Sequence, residues 1–460
     1  MMPVDLGAGL TLRRSTRADV DRLATFHATV FSEPPVVGPD PIVDAWVRDL
    51  LLSGHPTVGE DDFLLVEDAD GKIVSSSVWI TQTWTYEGLP FKVGRPEIVA
   101  TESAYRKRGL IRAQFCAWHA VSAERGEVVQ GITGIPYYYR QFGYEMALDL
   151  GGGPSIRAVD IPKLKPAPRE EHPERSDPPQ EGAASKDAPL AEPFRVRPAT
   201  SADAPLFVRL SELAGKRSMI CCPRDEAMWR YEISGRRTLA ADRLICSVIE
   251  TADGEVAGGL APSVGMDGNR AFVPFMELLP GFSWLAAADS LLRASWAEGE
   301  KVAALLGRHL DTLGFGLGLD HPFYRVNAGR LMPSRRPWAW YIRVPDLKAF
   351  LRLIAPALEA RLAESAAANY TGDLLLTFYR SGLRLHFERG KITEIADWPP
   401  NDRDAHAGFP DLTFTHLLFG HRSLDEMRHG FTDVILDDRI GRPLLEALFP
   451  RRPSSFWALM

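Results

Sequence analysis

The sequence predicts an α+β chain: two tandem copies of one α/β unit, followed by a smaller α+β unit. Three observations predict this. Segments recur at a nearly constant offset, an acidic proline-rich stretch separates the recurrences, and the pattern changes after Val344. Leu10-Thr11-Leu12-Arg13 leads through Thr16 to Asp19, and Phe194-Arg195-Val196-Arg197 leads through Thr200 to Asp203, 184 residues later. Each reads as a short alternating strand and a helix whose threonine N-cap is followed three residues on by an acid. Val66 to Val74 matches Ile249 to Ala257 at offset 183, each with an Asp-Gly turn between two strand patterns, a strong hairpin signal. Tyr138-Tyr139-Arg140 matches Phe323-Tyr324-Arg325 at offset 185.

Eight prolines fall from Pro162 to Pro193 inclusive, interspersed with acids and with few large apolar residues. Such a composition buries too little surface to offset its ordering entropy, so it reads as a linker. In the third unit Asp346 opens a helix with Leu347, Phe350, Leu351, Ile354 and Leu358 on one face, which Pro356 kinks or divides. A hairpin over Gly372 to Glu388, a strand from Ile392 to Trp398 and short helices near Phe414, Ser423 and Pro443 follow. The expected division is 1–155, a linker over 156–192, a second copy over 193–343, and 344–460.

Composition narrows the function. With 45% hydrophobic and 25% charged residues the chain is globular. The net charge of −7 argues against nucleic acid and mildly favours cationic substrates. Cys116, Cys221, Cys222 and Cys246 fit neither a disulfide framework nor a zinc set, and His416 and His421 are spaced by five, so no metal is expected. No apolar run is long enough to cross a membrane and no signal peptide is evident, so a cytoplasmic protein is expected.

The two copies differ at one place. In the first, the strand Glu97 to Thr101 runs into Tyr105-Arg106-Lys107-Arg108-Gly109-Leu110-Ile111-Arg112 and then a helical pattern. Main-chain N–H groups at a helix start, a glycine that permits close approach and four cations suit a pyrophosphate. The same stretch is also compatible with a solvated basic loop, but in the second copy Leu278 to Trp284 holds no cation.

This turn, with Tyr139-Arg140-Gln141-Phe142-Gly143-Tyr144, resembles the GNAT-type N-acetyltransferases. The whole chain is similar to the enhanced intracellular survival family of acetyltransferases. The resemblance implies two GNAT-like domains, the second degenerate, and a sterol-carrier-like α+β domain at the end. It implies acetyl-CoA as donor, a small-molecule or peptide amine as acceptor, and a homo-oligomer, a hexamer in that family. Ile111 stands where the general GNAT turn has Gly or Ala. By the same resemblance, main-chain groups of Val99, Ala100 and Thr101 lie along the pantetheine. Arg106, Lys107, Arg108, Gly109, Leu110, Ile111 and Arg112 hold the pyrophosphate, and Gly134 and Ile135 line the other side.

The resemblance makes Tyr139 the general acid, since a phenol is neutral at pH 7 and protonates a thiolate; the bland alternative is a packed aromatic. It makes the α-carboxylate of Met460 the base, with Glu97 and Glu102 as rivals. His119 is expected to pack. Trp79, Trp84 and Tyr86 wall an acceptor pocket or belong to core or an interface. Two other functions stay open: a CoA-binding scaffold without turnover, and a lipid-carrying role for the last domain.

Overall fold

In the computed structural model, which describes residues 2–33, 37–52, 54–164, 192–399, 403–452 and 454, the two predicted N-caps form alike. Thr16 and Asp19 close a capping box, and so do Thr200 and Asp203. Arg13 bridges Asp19 at 2.8 Å and Glu67 at 2.7 Å; Arg197 bridges Asp203 at 2.9 Å and Glu250 at 2.7 Å. The repeat therefore extends to an ion-pair triad that ties the first strand of each copy to its cap and to the next strand.

The first sheet runs, in order across it, Val4–Gly7, Leu10–Arg14, Phe63–Glu67, Ile73–Tyr86, Leu89–Thr101, Val129–Ile132, Trp338–Arg343 and Glu145–Leu150. Its largest piece is the hairpin Ile73–Tyr86/Leu89–Thr101, where a β-rich pattern continues until Glu87-Gly88 turns it back. One strand is out of sequence. Trp338–Arg343 belongs to the end of the second copy, yet pairs Tyr341 with Ile132 and Trp338 with Leu150.

The exchange is mutual. Gly153–Arg157, from the end of the first copy, lies between Thr312–Phe315 and Met332–Arg335 of the second. Only glycine fits at 153, because a Cβ there would meet the Phe315 carbonyl oxygen at 2.1 Å. Each copy's sheet is thus completed by the other, and neither edge is left open at that point.

The third unit has the predicted hairpin, Gly372–Thr377 and Gly382–Glu388, within a five-stranded sheet. The helix Leu347–Ala363 covers it, capped by Asp346, and Pro356 does not divide it. Its apolar face joins Phe350, Leu351 and Ile354 to Trp84, Tyr86 and Phe91 of the long hairpin in one continuous core. The Tyr86 hydroxyl donates to the Leu418 carbonyl at 3.0 Å, and Arg361 bridges Glu87 at 2.9 Å. Trp84 and Tyr86 are therefore interface core, and Trp79 is core stacked on Trp118 at 5.5 Å.

His27 is buried among Phe26, Phe31 and Phe63, and neither ring nitrogen has a partner among the described residues. Burial pushes its pKa down to about 3. The folded state keeps this ring neutral while the unfolded chain protonates it below about pH 6.5, so its contribution is intact above pH 6.5 and is lost progressively as pH falls toward 3. His27→Leu is expected to raise stability at pH 7 by about 1 kcal/mol and to flatten the acid slope, as measured by urea unfolding at pH 7 and pH 5.

Candidate active site

The strand Leu89–Thr101 breaks its ladder near its end. Ser76 pairs with Ala100 and Val78 with Glu97, so Ile98 and Val99 oppose Ser77 alone. This is a β-bulge, and Ile98 takes φ 48° there. A β-branched residue in the left-handed region is strained, and such strain collects at working sites. Before the bulge this strand pairs in parallel with Val129–Ile132 through Val93 and Gly94 only; beyond it the two part. Val99 packs at the edge of the resulting split, while the Ala100 carbonyl accepts the Ser75 hydroxyl at 2.9 Å.

The basic turn follows. Lys107 takes φ 63° and Gly109 φ 77°, and Gly109 caps the helix Leu110–Glu124. Arg106, Lys107 and Arg108 are exposed and form no ion pair among the described residues, so their charge is available to an anion beside the helix start. Arg112 donates to the Gln141 side chain at 2.9 Å and lies 5.4 Å from the Phe142 ring centroid, tying the turn to the segment that carries the tyrosine. Leu110 is buried and Ile111 packs into the same aromatic cluster as Tyr139.

Tyr139 sits on the short 3-10 turn Tyr138–Phe142. Its ring stacks on Phe115 at 5.8 Å and meets Tyr341 edge-on at 5.5 Å. The ring is packed, but its hydroxyl makes no hydrogen bond to a described residue. Burial, then the charge of Glu97, pushes the phenol up, which keeps it protonated at neutral pH. Gly134 has φ 118°, and the carbonyl of Ile135 accepts the Tyr341 hydroxyl at 3.1 Å, so the exchanged strand also orders this loop.

One carboxylate, Glu97, lies near Tyr139, and a second, Asp242, lies near Glu97. Glu97 is buried and ion-paired with the fully buried Arg95, whose guanidinium lies 4.8 Å from the Trp340 ring centroid. Burial raises the Glu97 pKa, with Arg95 opposing. Asp242, from the second copy and at φ 57°, is close enough to feel both charges, and desolvation pushes it up to about 6. Glu102 instead pairs with Lys72 at 2.7 Å. His119 bonds the Tyr144 hydroxyl at 3.0 Å, and burial lowers its pKa to about 4. Met460 and most of the proline-rich linker lie outside the described residues. His416 and His421 stack at 5.3 Å in the third unit, facing Glu145 and Asp149. Sequence reasoning missed Arg95, Asp242, Trp340 and Tyr341; only the charged residues at i and i+2 inside an apolar strand signalled the Arg95–Glu97 pair.

The second copy shows what the first retains. Glu102 N–H bonds the Val74 carbonyl and Leu279 N–H bonds that of Ala257. Following each ladder back, Glu97 faces Val78 across the bulge and Phe275 faces Ala261, so an apolar residue stands where Glu97 does. Tyr324, the counterpart of Tyr139, accepts from Leu317 N–H at 2.8 Å and donates to the Phe315 carbonyl at 3.1 Å. Its hydroxyl is committed to the fold.

The acetyltransferase (GNAT) domain family matches residues 11–147. Among solved structures, a probable N-acyltransferase from Enterococcus faecalis V583 is 13% identical, with 97% of this chain and 98% of that one covered at TM-score 0.61. A GCN5-related N-acetyltransferase from Kribbella flavida is 17% identical, covering 97% of each at TM-score 0.58. Eis1 from Mycobacterium abscessus is 12% identical, covering 96% and 98% at TM-score 0.56. At these identities the likeness is one of fold. No curated protein matches the sequence. No helix among the described residues is long and apolar enough to cross a membrane.

Proposed function

We propose, from the premise that residues 11–147 belong to the acetyltransferase (GNAT) domain family and make this chain an acyltransferase, that acetyl-CoA donates its acetyl group to a primary amine of a cationic acceptor. The observation that carries this reading is the contrast between the two tyrosines: the Tyr139 hydroxyl is uncommitted, and that of Tyr324 is locked to the backbone.

The pyrophosphate would rest on the turn Arg106 to Arg112, and the pantetheine in the split opened by the Ile98 bulge, along main-chain groups of Val99, Ala100 and Thr101, with Gly134 and Ile135 opposite. Held there, donor and amine react as if in one molecule. The acceptor nitrogen, once neutral, forms the bond to the thioester carbonyl carbon, the C–S bond breaks, and Tyr139 gives its proton to the departing thiolate. Glu97 and Asp242 supply the negative field that draws a cationic acceptor.

The ammonium's proton passes to a carboxylate. Glu97 is assigned this role, since it is buried beside Tyr139 with a raised pKa. A second reading, the α-carboxylate of Met460, has its own support. Ser454 is buried and accepts from Ile220 N–H at 2.9 Å, and Ile220 pairs with Tyr86. Six further residues span at most ~20 Å, enough to run back along the hairpin to the level of Arg95, whose partner Ile80 is six residues from Tyr86.

Charge reversal tests the cofactor half. Arg106→Glu with Arg108→Glu is expected to weaken acetyl-CoA binding by about 10- to 100-fold, the worth of one or two charge-assisted hydrogen bonds. Both side chains are exposed, so the melting temperature should hold. Unchanged affinity by calorimetry would contradict the assignment.

A further inference from the structure

Two imidazoles of the third unit meet two carboxylates of the first. His416 and His421 bring their Nδ1 atoms to 3.1 Å. At the far edge of each ring, His416 Nε2 lies 3.7 Å from Glu145 and His421 Nε2 lies 3.3 Å from Asp149. None of the four side chains is more than 16% exposed.

Proton counting constrains the pair. An Nδ1 to Nδ1 contact at this distance holds one proton, donated by one ring and accepted by the other. A neutral imidazole has a single N–H, so with both rings neutral the donor would turn a bare Nε2 lone pair toward a carboxylate. One further proton removes that conflict: both Nε2 atoms then carry N–H toward their carboxylates, and the bridge is kept. A fourth proton would set two N–H groups against each other, beside the cationic Arg140 and Arg422. The four nitrogens thus hold three protons, and the pair is a monocation. Burial, then the neighbouring His421, Arg422 and Arg140, pushes the His416 pKa down to about 3, which makes His416 the neutral member.

The contact leads to the catalytic turn. Glu145 accepts from Arg140 Nε at 2.9 Å and from its Nη2 at 2.5 Å. Arg140 follows Tyr139 on the turn Tyr138–Phe142, and its guanidinium lies 5.0 Å from the Tyr137 ring centroid. The second copy lacks these carboxylates. At the offset of 185 that matches Tyr324 to Tyr139, Arg330 stands where Glu145 does and Ser334 where Asp149 does, and Arg330 pairs with Asp289.

We infer that His416 and His421 form a one-proton clamp through which the third unit positions the Tyr139 turn, an inference that rests on the acetyl-transfer reading. Both are positioning residues: they act through Arg140 and the strand Glu145–Leu150, not on the substrate.

The test follows the full chain by histidine-ring NMR and by kcat against pH, in the native protein and in Asp149→Asn, His421→Lys and His421→Gln. The two rings should titrate as one coupled unit. Asp149→Asn should move the loss of the third proton to lower pH, since a carboxylate favours the charged form. As the native pair loses that proton on raising the pH, kcat should fall. His421→Lys keeps a cation beside Asp149 and a donor to His416, so its kcat relative to native should climb about tenfold through that step, the worth of one charge-assisted hydrogen bond. His421→Gln should stay low at every pH, with KM for acetyl-CoA unchanged. Independent titration of the two rings, or one kcat profile shared by the native chain and both His421 substitutions, would overturn the inference. Tyr139→Phe separates the two readings: full turnover there removes the general-acid assignment, while the ring titration still decides the clamp.

Discussion

Tyr139→Phe is expected to lower kcat by about 100- to 10,000-fold, the usual worth of a positioned general acid, and to leave acetyl-CoA affinity unchanged. The ring is held by Phe115, Tyr144 and Tyr341, and phenylalanine keeps those contacts. Only the oxygen is removed, and it bonds no described residue, so stability should not fall. Tyr324→Phe is the matched control. It strips two backbone hydrogen bonds and should cost about 1–3 kcal/mol of stability with little effect on turnover. A structural loss at 139 and a kinetic loss at 324 would reverse the assignment of the active copy.

Glu97→Gln is expected to reduce kcat by a similar factor, with KM for acetyl-CoA unchanged. The substitution also takes the ion-paired carboxylate from the fully buried Arg95, and breaking a buried ion pair from one side costs about 3–5 kcal/mol. The double change Arg95→Gln and Glu97→Gln removes both charges and restores stability while staying inactive. The pH profile follows from burial. Glu97 must be ionised to accept a proton, and its pKa is raised, so kcat should fall as pH drops through a value above the ordinary carboxylate range. Appending residues after Met460 discriminates the second candidate. Full activity in the extended chain keeps the base at Glu97, and loss of kcat with acetyl-CoA affinity intact moves it to the terminal carboxylate.

The repeat was legible because strand, cap and turn signals are local. Thr16/Asp19 and Thr200/Asp203 needed only three-residue spacing, and the Asp-Gly turns needed two. The basic turn was legible for the same reason, and because the second copy lacks it. The exchanged strands were not legible. Trp338–Arg343 and Gly153–Arg157 carry no clean alternation, and nothing in either says which sheet receives it. The site inherits that blindness, since Trp340, Tyr341 and Asp242 reach it from the second copy. The bulge was hidden as well, because Ile98 carries a residue that favours ordinary extended backbone.

The most direct measurement is release of free thiol from acetyl-CoA over a broad panel of amines, with the acetylated product weighed by mass spectrometry. The account predicts amine-dependent release matched one-for-one by acetylated product, strongest for cationic acceptors and abolished by Tyr139→Phe. Tight acetyl-CoA binding with no amine-dependent release across the panel would contradict it and leave the chain a CoA-binding scaffold.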